Sequence, residues 1–129
     1  MIKAEVQARV ALARLMVAEE LLDNLPGELG MRTALSRGYY GLLHSSQAFL
    51  LTIGQKQAGR DLSHGTVYKL LNRERGAEAG RIYENAMRTR KDADYREAAT
   101  FEPLSVSRQV KAIRTQVKEL CLEAGKFLQ

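Results

Sequence analysis

The sequence predicts an all-α protein: an up-and-down four-helix bundle with a short additional helix, in one domain of residues 1–129. Three observations predict it. Apolar residues recur at spacings of three and four along several segments, alternating strand patterns are absent, and glycine or proline marks most of the breaks. A chain of 129 residues is close to the commonest size of a single domain and can bury one core.

The first two segments predict long helices. Helix one ends near Leu25, because Pro26 cannot continue a hydrogen-bonded turn and Gly27 tolerates cap geometry. Helix two is predicted from about Glu28 to Ile53. We expect the buried stripes of these helices to be Ile2, Val6, Val10, Ala13, Val17 and Leu21 in the first, and Met31, Leu35, Leu42, Phe49 and Ile53 in the second.

The second half of the chain predicts three more helices. A polar loop over residues 55–61 precedes Ser63, which we expect to cap a short third helix. A fourth helix is predicted from about Gly76 to Arg90, followed by a long ordered loop over residues 91–103, where the periodicity is interrupted. The expected apolar positions are Val67, Leu70 and Leu71 in the third helix, Ala79, Ile82, Tyr83, Ala86 and Met87 in the fourth, and Val106, Val110, Ile113, Val117, Leu120, Ala124 and Phe127 in the last.

Composition and charge limit the possible functions. The net charge of +5 comes from 20 basic and 15 acidic side chains, a mild bias that permits RNA binding without requiring it. No apolar run is long enough for a membrane span, and the first ten residues do not resemble a signal peptide, so we expect a cytoplasmic protein with no membrane contact. The single cysteine, Cys121, is interpreted as a small buried hydrophobe without a catalytic role.

The second predicted helix carries the candidate chemistry. Arg37 and His44 are seven residues apart, about two helical turns, so their side chains rise from nearly the same face and can act on one ligand. Three small residues share that face, over which another helix or a nucleotide could lie close to the backbone. They are Ala34, Gly41 and Ala48.

Two glycines inside this helix require an explanation. Gly38 and Gly41 each cost about 0.8 to 1 kcal/mol relative to alanine in a helix interior. Two interpretations remain open: close approach of another group to the backbone, or relief of crowding around Tyr39 and Tyr40 inside the monomer. We interpret the tyrosines as packing residues rather than reactants.

A second polar cluster lies where the fourth predicted helix meets its loop. Arg88 and Arg90 could cap the helix dipole, and an ion pair between Arg90 and Asp94 could fix the loop. The alternative interpretation is a phosphate-binding role for this cluster, which also contains Tyr95. His64 is interpreted as a local capping element. The histidines lack carboxylate or cysteine partners at ligand spacing, and no nucleotide-binding glycine loop occurs, so we predict no metal and no cofactor.

Taken together, these motifs resemble the HEPN domain family. The motifs are Ser36-Arg37-Gly38-Tyr39-Tyr40-Gly41-Leu42-Leu43-His44, then Ser63-His64-Gly65, then Arg90-Lys91-Asp92-Ala93-Asp94-Tyr95, and they span most of the chain. In that family a helical bundle carries an arginine and a histidine separated by four to six residues; here six separate Arg37 from His44. The resemblance implies a homodimer in which two such motifs meet in a cleft.

The resemblance also implies an activity. Many members are metal-independent endoribonucleases that act as toxins or defence nucleases beside a minimal nucleotidyltransferase, which serves as partner or antidote. His44 would move a proton at the 2′-hydroxyl or the leaving oxygen, and Arg37 would brace the phosphate. One departure concerns Ser46, which stands where well-studied toxins have a tyrosine. The candidate substrate-binding residues for RNA are Tyr40, Arg88, Arg90, Asp94 and Tyr95.

Two other functional hypotheses remain open. The chain could be a non-catalytic HEPN module that binds a nucleotide or a partner nucleotidyltransferase, which co-purification with a neighbouring gene product would reveal. Arg37 and His44 could instead form an internal polar network between helices. That interpretation requires both side chains to be saturated by protein atoms and closed to solvent.

Overall fold

The computed structural model describes residues 2–24, 27–55 and 63–128, and the side chains at 4–24, 27–55 and 63–125. This part of the chain is all-helical and contains no strand, which confirms the predicted class. Leu25, most of the predicted 55–61 loop, and the side chains of Ile2 and Phe127 lie outside the described residues. The helices are α1 (Ile2–Asn24), α2 (Glu28–Thr52), α3 (His64–Arg75), α4 (Ala77–Tyr95) and α5 (Pro103–Leu128).

Helix α2 is the centre of the bundle and packs against each of the other four helices. Gly41 lies against Ala11, and Gly38 lies nearest Ile113 of α5 and then Ala18 of α1. The residue numbers on α1 therefore fall as those on α2 rise, so α1 runs antiparallel to α2. Helix α4 is also antiparallel to α2, while α5 is parallel to it, and α3 is the short additional helix.

Local signals define both ends of α3, and the Ser63 cap at its start was predicted. The Ser63 hydroxyl accepts a hydrogen bond from the Thr66 amide at 3.2 Å and caps α3. Gly76 has a φ of 101°, a left-handed conformation that favours glycine, and it forms the corner between α3 and α4. A single residue, Gly76, therefore separates the end of α3 from the beginning of α4.

The long loop predicted after Arg90 is wrong, because α4 continues to Tyr95. The sequence there is polar, but Ala93 is buried against the cluster that contains Leu35. Ion pairs four residues apart, such as Asp92 with Arg96, support the last helical turns. The connection to α5 is accordingly short, and Asp94 and Tyr95 are helical residues.

The buried face predicted for α1 is also wrong. The buried side chains are Ala4, Ala11, Leu15 and Ala18. Small side chains let α1 approach α2 closely, whereas a row of valines would hold the helices further apart. The predicted stripe instead forms a largely exposed apolar row, in which Val6 is 52% and Val17 41% exposed. We call this row the α1 stripe: Val6, Val10, Ala13, Val17 and Leu21.

One arginine ties the end of α4 to α2. The Arg32 guanidinium forms an ion pair with Glu28 at 2.8 Å and lies 5.0 Å from the centre of the Phe101 ring. It also donates to five carbonyl oxygens in the last turn of α4 and in the connection that follows, of which those of Asp92 and Arg96 also accept a backbone hydrogen bond. The five belong to Asp92, Ala93, Arg96, Glu97 and Ala99, at distances between 2.8 and 3.2 Å. Arg32 therefore fixes the position of the last turn of α4.

No helix in the described part of the chain is sufficiently long and apolar to span a membrane.

Candidate functional site

His44 lies at the edge between α2 and α1 and has a fixed orientation. Its Nδ1 is 2.5 Å from Oε1 of Gln7. Because an amide oxygen only accepts hydrogen bonds, Nδ1 carries the proton and Nε2 carries the lone pair. Partial burial, and then the charge of Arg14, lower the pKa of His44. At neutral pH the imidazole is therefore neutral, and Nε2 can act as a base.

Two arginines on the helices that carry this site, Arg14 next to His44 and Arg37 further along α2, have no carboxylate partner among the described residues. Among the described residues, neither Arg14 nor Arg37 forms an ion pair or a side-chain hydrogen bond, and both are half-buried. Arg14 packs its Cβ over Gly41, one turn from His44. Arg37 lies two turns from His44, about 10 Å along the helix axis. The positive charge of Arg14 next to His44, with Arg37 further along the helix, favours the approach of an anion to this part of the surface.

The small residues of α2 serve the packing of helices. A Cβ added at Gly41 would lie 3.1 Å from the Ala11 carbonyl oxygen, so glycine is needed for the close approach of α1. Ala34 and Ala48 on the same face are fully buried. Close backbone approach is therefore the correct interpretation for Gly41, and the group that approaches is a helix of the same chain. Gly38 meets Ile113 at an ordinary distance of 3.5 Å.

The predicted cluster at the end of α4 assembles around Arg90. Its guanidinium donates to the Tyr40 hydroxyl at 2.6 Å and forms an ion pair with Asp94 at 3.0 Å. It also lies 5.2 Å from the ring centre of Tyr40, 5.4 Å from that of Tyr95 and 5.8 Å from that of Tyr39. The Arg90 side chain is only 11% exposed. The predicted Arg90 to Asp94 ion pair is confirmed, but within a helix rather than a loop.

Arg88 does not join this cluster. It points outward from α4, where its side chain is 67% exposed and forms an ion pair with Glu84 at 2.7 Å. Neither Arg88 nor Arg90 lies in the last turn of α4, because the helix continues to Tyr95. The predicted role of these cations in capping the helix dipole is therefore wrong. Of the five candidate substrate-binding residues, the structure brings four together and leaves out Arg88.

Tyr40 connects the two groups of candidate residues. It lies three residues after Arg37 and four before His44, so it is the neighbour of both on the surface of α2. Its hydroxyl accepts the hydrogen bond from Arg90. The Ser36 hydroxyl contacts Asp94 at 3.3 Å and makes a second connection between α2 and α4. The candidate residues therefore form one continuous surface from His44 to the end of α4.

A buried network lies behind this surface. The Tyr39 hydroxyl hydrogen bonds with His64 Nδ1 and lies 3.0 Å from the Tyr83 hydroxyl. Burial raises the pKa of Tyr39 to about 12 and also raises the pKa of Tyr83, so both phenols stay protonated. Burial, followed by the charges of Arg90 and Lys91, lowers the pKa of His64. The helix cap is Ser63, so the capping role predicted for His64 is wrong.

The residue at the departure from the HEPN pattern is inaccessible. Ser46 is fully buried, and its hydroxyl donates to the Leu42 carbonyl oxygen at 2.7 Å. It lies on the side of α2 opposite Arg37. A modification at this position would therefore require the core to open.

Sequence reasoning missed three residues that shape the site. Gln7 and Arg14 orient and polarise His44, and Arg32 fixes the end of α4. Gln7 and Arg14 lie near His44 because the alanine-containing face of α1 packs against α2. The valine-rich stripe predicted that the other face of α1 would be buried, so these two residues were not expected at the site. Nothing in the sequence around Arg32 marks it as a ligand of carbonyl groups sixty residues away.

The remaining geometry and the comparisons with known proteins add no identification. Within residues 2–24, 27–55 and 63–128, no group of three or more histidine, cysteine, aspartate or glutamate side chains could hold a metal ion. A cavity of about 190 Å³ between α4 and α5 is lined by Ile82, Asn85 and Gln109 and contains none of the candidate residues. No family model matches the sequence, and no curated protein matches it.

Proposed function

We propose that this chain is a metal-independent endoribonuclease of HEPN type, with His44 as its proton-transfer group. The observation that carries the proposal is a neutral imidazole of fixed tautomer, held by Gln7 next to Arg14, a cation without an ion-pair partner among the described residues. The resemblance of the motifs to HEPN proteins supports the same assignment. RNA is the substrate, because its phosphates need cations and its 2′-hydroxyl needs a base.

The chemistry follows from the two nitrogens of His44. Nε2 accepts the proton of a 2′-hydroxyl while the oxygen attacks the adjacent phosphorus atom. The bond from phosphorus to the 5′-oxygen breaks, and that oxygen takes a proton from solvent water to become a 5′-hydroxyl, while the His44 imidazolium returns its proton to solvent. The products are a 2′,3′-cyclic phosphate and a 5′-hydroxyl end. Arg14 and Arg37 stabilise the negative charge that develops on the phosphate oxygens.

Gln7 is the positioning residue in this scheme. Its Oε1 holds the proton on Nδ1, so that Nε2 faces the substrate as an acceptor. Replacement of Gln7 by leucine would leave the imidazole free to rotate and to change tautomer. We expect a lower rate constant of cleavage for Gln7→Leu with little change in the affinity for RNA.

We propose a homodimer that packs through the α1 stripe. The stripe follows a spacing of three and four, which is suited to packing against an equivalent helix of a second copy. Val10 lies three residues after Gln7 and four before Arg14, so this second copy would border the His44 site. Isolated exposed apolar residues are ordinary, but a row of five along one helix, three of them exposed and two half-buried, marks an interaction surface.

The dimer is tested by light scattering during gel filtration. We expect Val6→Lys combined with Val17→Lys to convert a dimer into a folded monomer, because both side chains are already 41% or more exposed. Leu122→Lys is the matched control, since Leu122 is 64% exposed on α5. A wild-type chain that is monomeric at micromolar concentration would contradict the proposed dimer.

We further propose that the nuclease is a cytoplasmic toxin of a toxin–antitoxin or defence pair, partnered by a minimal nucleotidyltransferase. The alternative is a non-catalytic module that binds this partner or a nucleotide, and the exposed α1 stripe is the observation that favours it, because a partner could cover the stripe. Co-purification with the product of a neighbouring gene would indicate that a partner protein, rather than a second copy of this chain, covers the α1 stripe.

The deciding experiment measures cleavage of a mixed single-stranded RNA pool in the presence of EDTA. We expect wild-type protein to cleave, His44→Ala to be inactive and the matched control His64→Gln to stay active, because His64 lies behind the site. Circular dichroism checks that each variant is folded. If wild-type and His44→Ala proteins are equally inactive, the non-catalytic alternative replaces the nuclease.

A further inference from the structure

The end of α4 presents an aromatic ring to solvent beside the candidate site. Tyr95 is the last residue of α4 and is 71% exposed, the most exposed of the large hydrophobic side chains described. The Arg90 guanidinium lies 5.4 Å from its ring centre and packs against it. Most of the ring is therefore available to a planar ligand.

The ring is held in place by groups below it. Arg90 is anchored by its hydrogen bond to Tyr40 and its ion pair with Asp94. The turn that carries Tyr95 is fixed by Arg32, which binds the carbonyl oxygens of Asp92 and Ala93. Because the backbone that carries Tyr95 is already ordered, a ligand that stacks on the ring binds with only a small loss of conformational entropy in the protein.

Arg90 itself is not available to a phosphate. Its side chain is 11% exposed and packs among three tyrosine rings, with Tyr40 and Asp94 as its polar partners. Burial lowers the pKa of Arg90, but Tyr40, Asp94 and Tyr95 raise it by more, so the net shift is upward. Arg90 is thus a positioning residue that orients Tyr95, and the exposed group of the cluster is aromatic rather than cationic.

A hydrogen-bond acceptor lies next to the exposed ring. The Asp94 side chain is 28% exposed, and its Oδ2 is engaged by Arg90 and Ser36. A carboxylate has room for further donors, and nucleobases carry N–H groups on their Watson–Crick edges. Ser36 lies four residues before Tyr40 on α2, so this acceptor borders the surface that Tyr40 shares with Arg37 and His44.

We propose that Tyr95 and Asp94 form a nucleobase-binding site for the RNA strand that is cut at His44. Tyr95 stacks on an unpaired base, and Asp94 accepts a hydrogen bond from an N–H of that base. The proposal rests on the proposed function, because RNA is its ligand, and it makes single-stranded RNA the substrate class. Stacking on a tyrosine is tolerant of base identity, so the site selects unpaired bases rather than a sequence.

Binding to uncut RNA tests the site. Fluorescence anisotropy with the His44→Ala protein uses a labelled oligoriboadenylate of about eight nucleotides and an oligomer of equal length without bases. We expect Tyr95→Leu to weaken binding of the oligoriboadenylate about tenfold or more, and Tyr95→Phe to retain it. Binding of the baseless oligomer should be equal for all variants, and Leu122→Ala is the matched control for loss of an exposed apolar side chain.

The outcomes separate this site from the nuclease. Oligoriboadenylate binding that is unchanged in Tyr95→Leu overturns the nucleobase site, as does an equal loss of binding to the baseless oligomer. If wild-type protein fails to cleave RNA while binding still depends on Tyr95, the nuclease is refuted and the nucleobase site stands. Cleavage that requires His44 without dependence of binding on Tyr95 refutes the nucleobase site alone.

Discussion

Replacement of Gly41 by alanine tests the closest contact in the bundle. In an open helix interior this change stabilises a protein by about 0.8 to 1 kcal/mol. At Gly41 the new Cβ would lie 3.1 Å from the Ala11 carbonyl oxygen and 3.4 Å from the Leu15 amide nitrogen. Both atoms belong to the backbone of α1, so only a shift of the helix relieves the contact, and overpacking of this kind costs about 1 to 3 kcal/mol. The free energy of unfolding should therefore fall by about 1 kcal/mol.

Two other glycines of the chain supply matched controls. A Cβ at Gly38 would meet Ile113 at 3.5 Å, an ordinary contact, and a Cβ at Gly125 would meet nothing within 4 Å. Both alanine variants should therefore raise the melting temperature followed by circular dichroism, while Gly41→Ala should lower it by about 3 to 5 °C. An equal rise for Gly41→Ala would show that α1 and α2 do not pack as closely as described.

Three further predictions concern stability and reactivity. Arg32→Met should lower the free energy of unfolding in urea by about 3 kcal/mol, because the last carbonyl groups of α4 lose a charged donor. The control Arg9→Met, at an exposed arginine, should change it by less than about 0.5 kcal/mol. Equal effects of the two substitutions would contradict the role of Arg32. Folding lowers the pKa values of His44 and His64, so the unfolded state binds more protons. The free energy of unfolding should therefore be highest above the unfolded pKa of 6.5 and should fall as the pH drops through the folded pKa values. In urea unfolding measured between about pH 7.5 and about pH 5, replacing both histidines by glutamine should remove most of this dependence on pH. Burial raises the pKa of Cys121 to about 11, so alkylation by iodoacetamide near pH 8 should be slow until urea unfolds the chain.

The elements of the fold were predictable where local chemistry decides them. Ser63 supplies a cap, and a glycine at position 76 forms the corner that separates α3 from α4. These signals act within a few residues, so they can be read from the sequence. The length of α4 was not readable in this way, because its last turns are supported by Arg32, which lies on another helix.

The site was predictable only in part, for a related reason. Arg37, Tyr40 and His44 share one helix, and helical spacing alone places them on neighbouring positions. The orientation of His44 depends on Gln7, and therefore on which face of α1 is buried. Helix α1 has two apolar faces, and hydrophobic periodicity alone does not show which of them is buried. Gly41 decides this, because its bare backbone allows the close approach of the face that carries Ala11, which the bulkier valine face could not make.

The antiparallel pairing of α1 and α2 has a consequence for the order of folding. Contacts between consecutive helices are local in the chain and form early. Arg90, in contrast, joins Tyr40 across 50 residues of sequence. At ribosomal rates of about 5 to 20 residues per second, those residues take about 3 to 10 s to synthesise. His44 and Gln7 can therefore come into contact on the nascent chain before the ribosome has synthesised the end of α4, which carries the proposed nucleobase site.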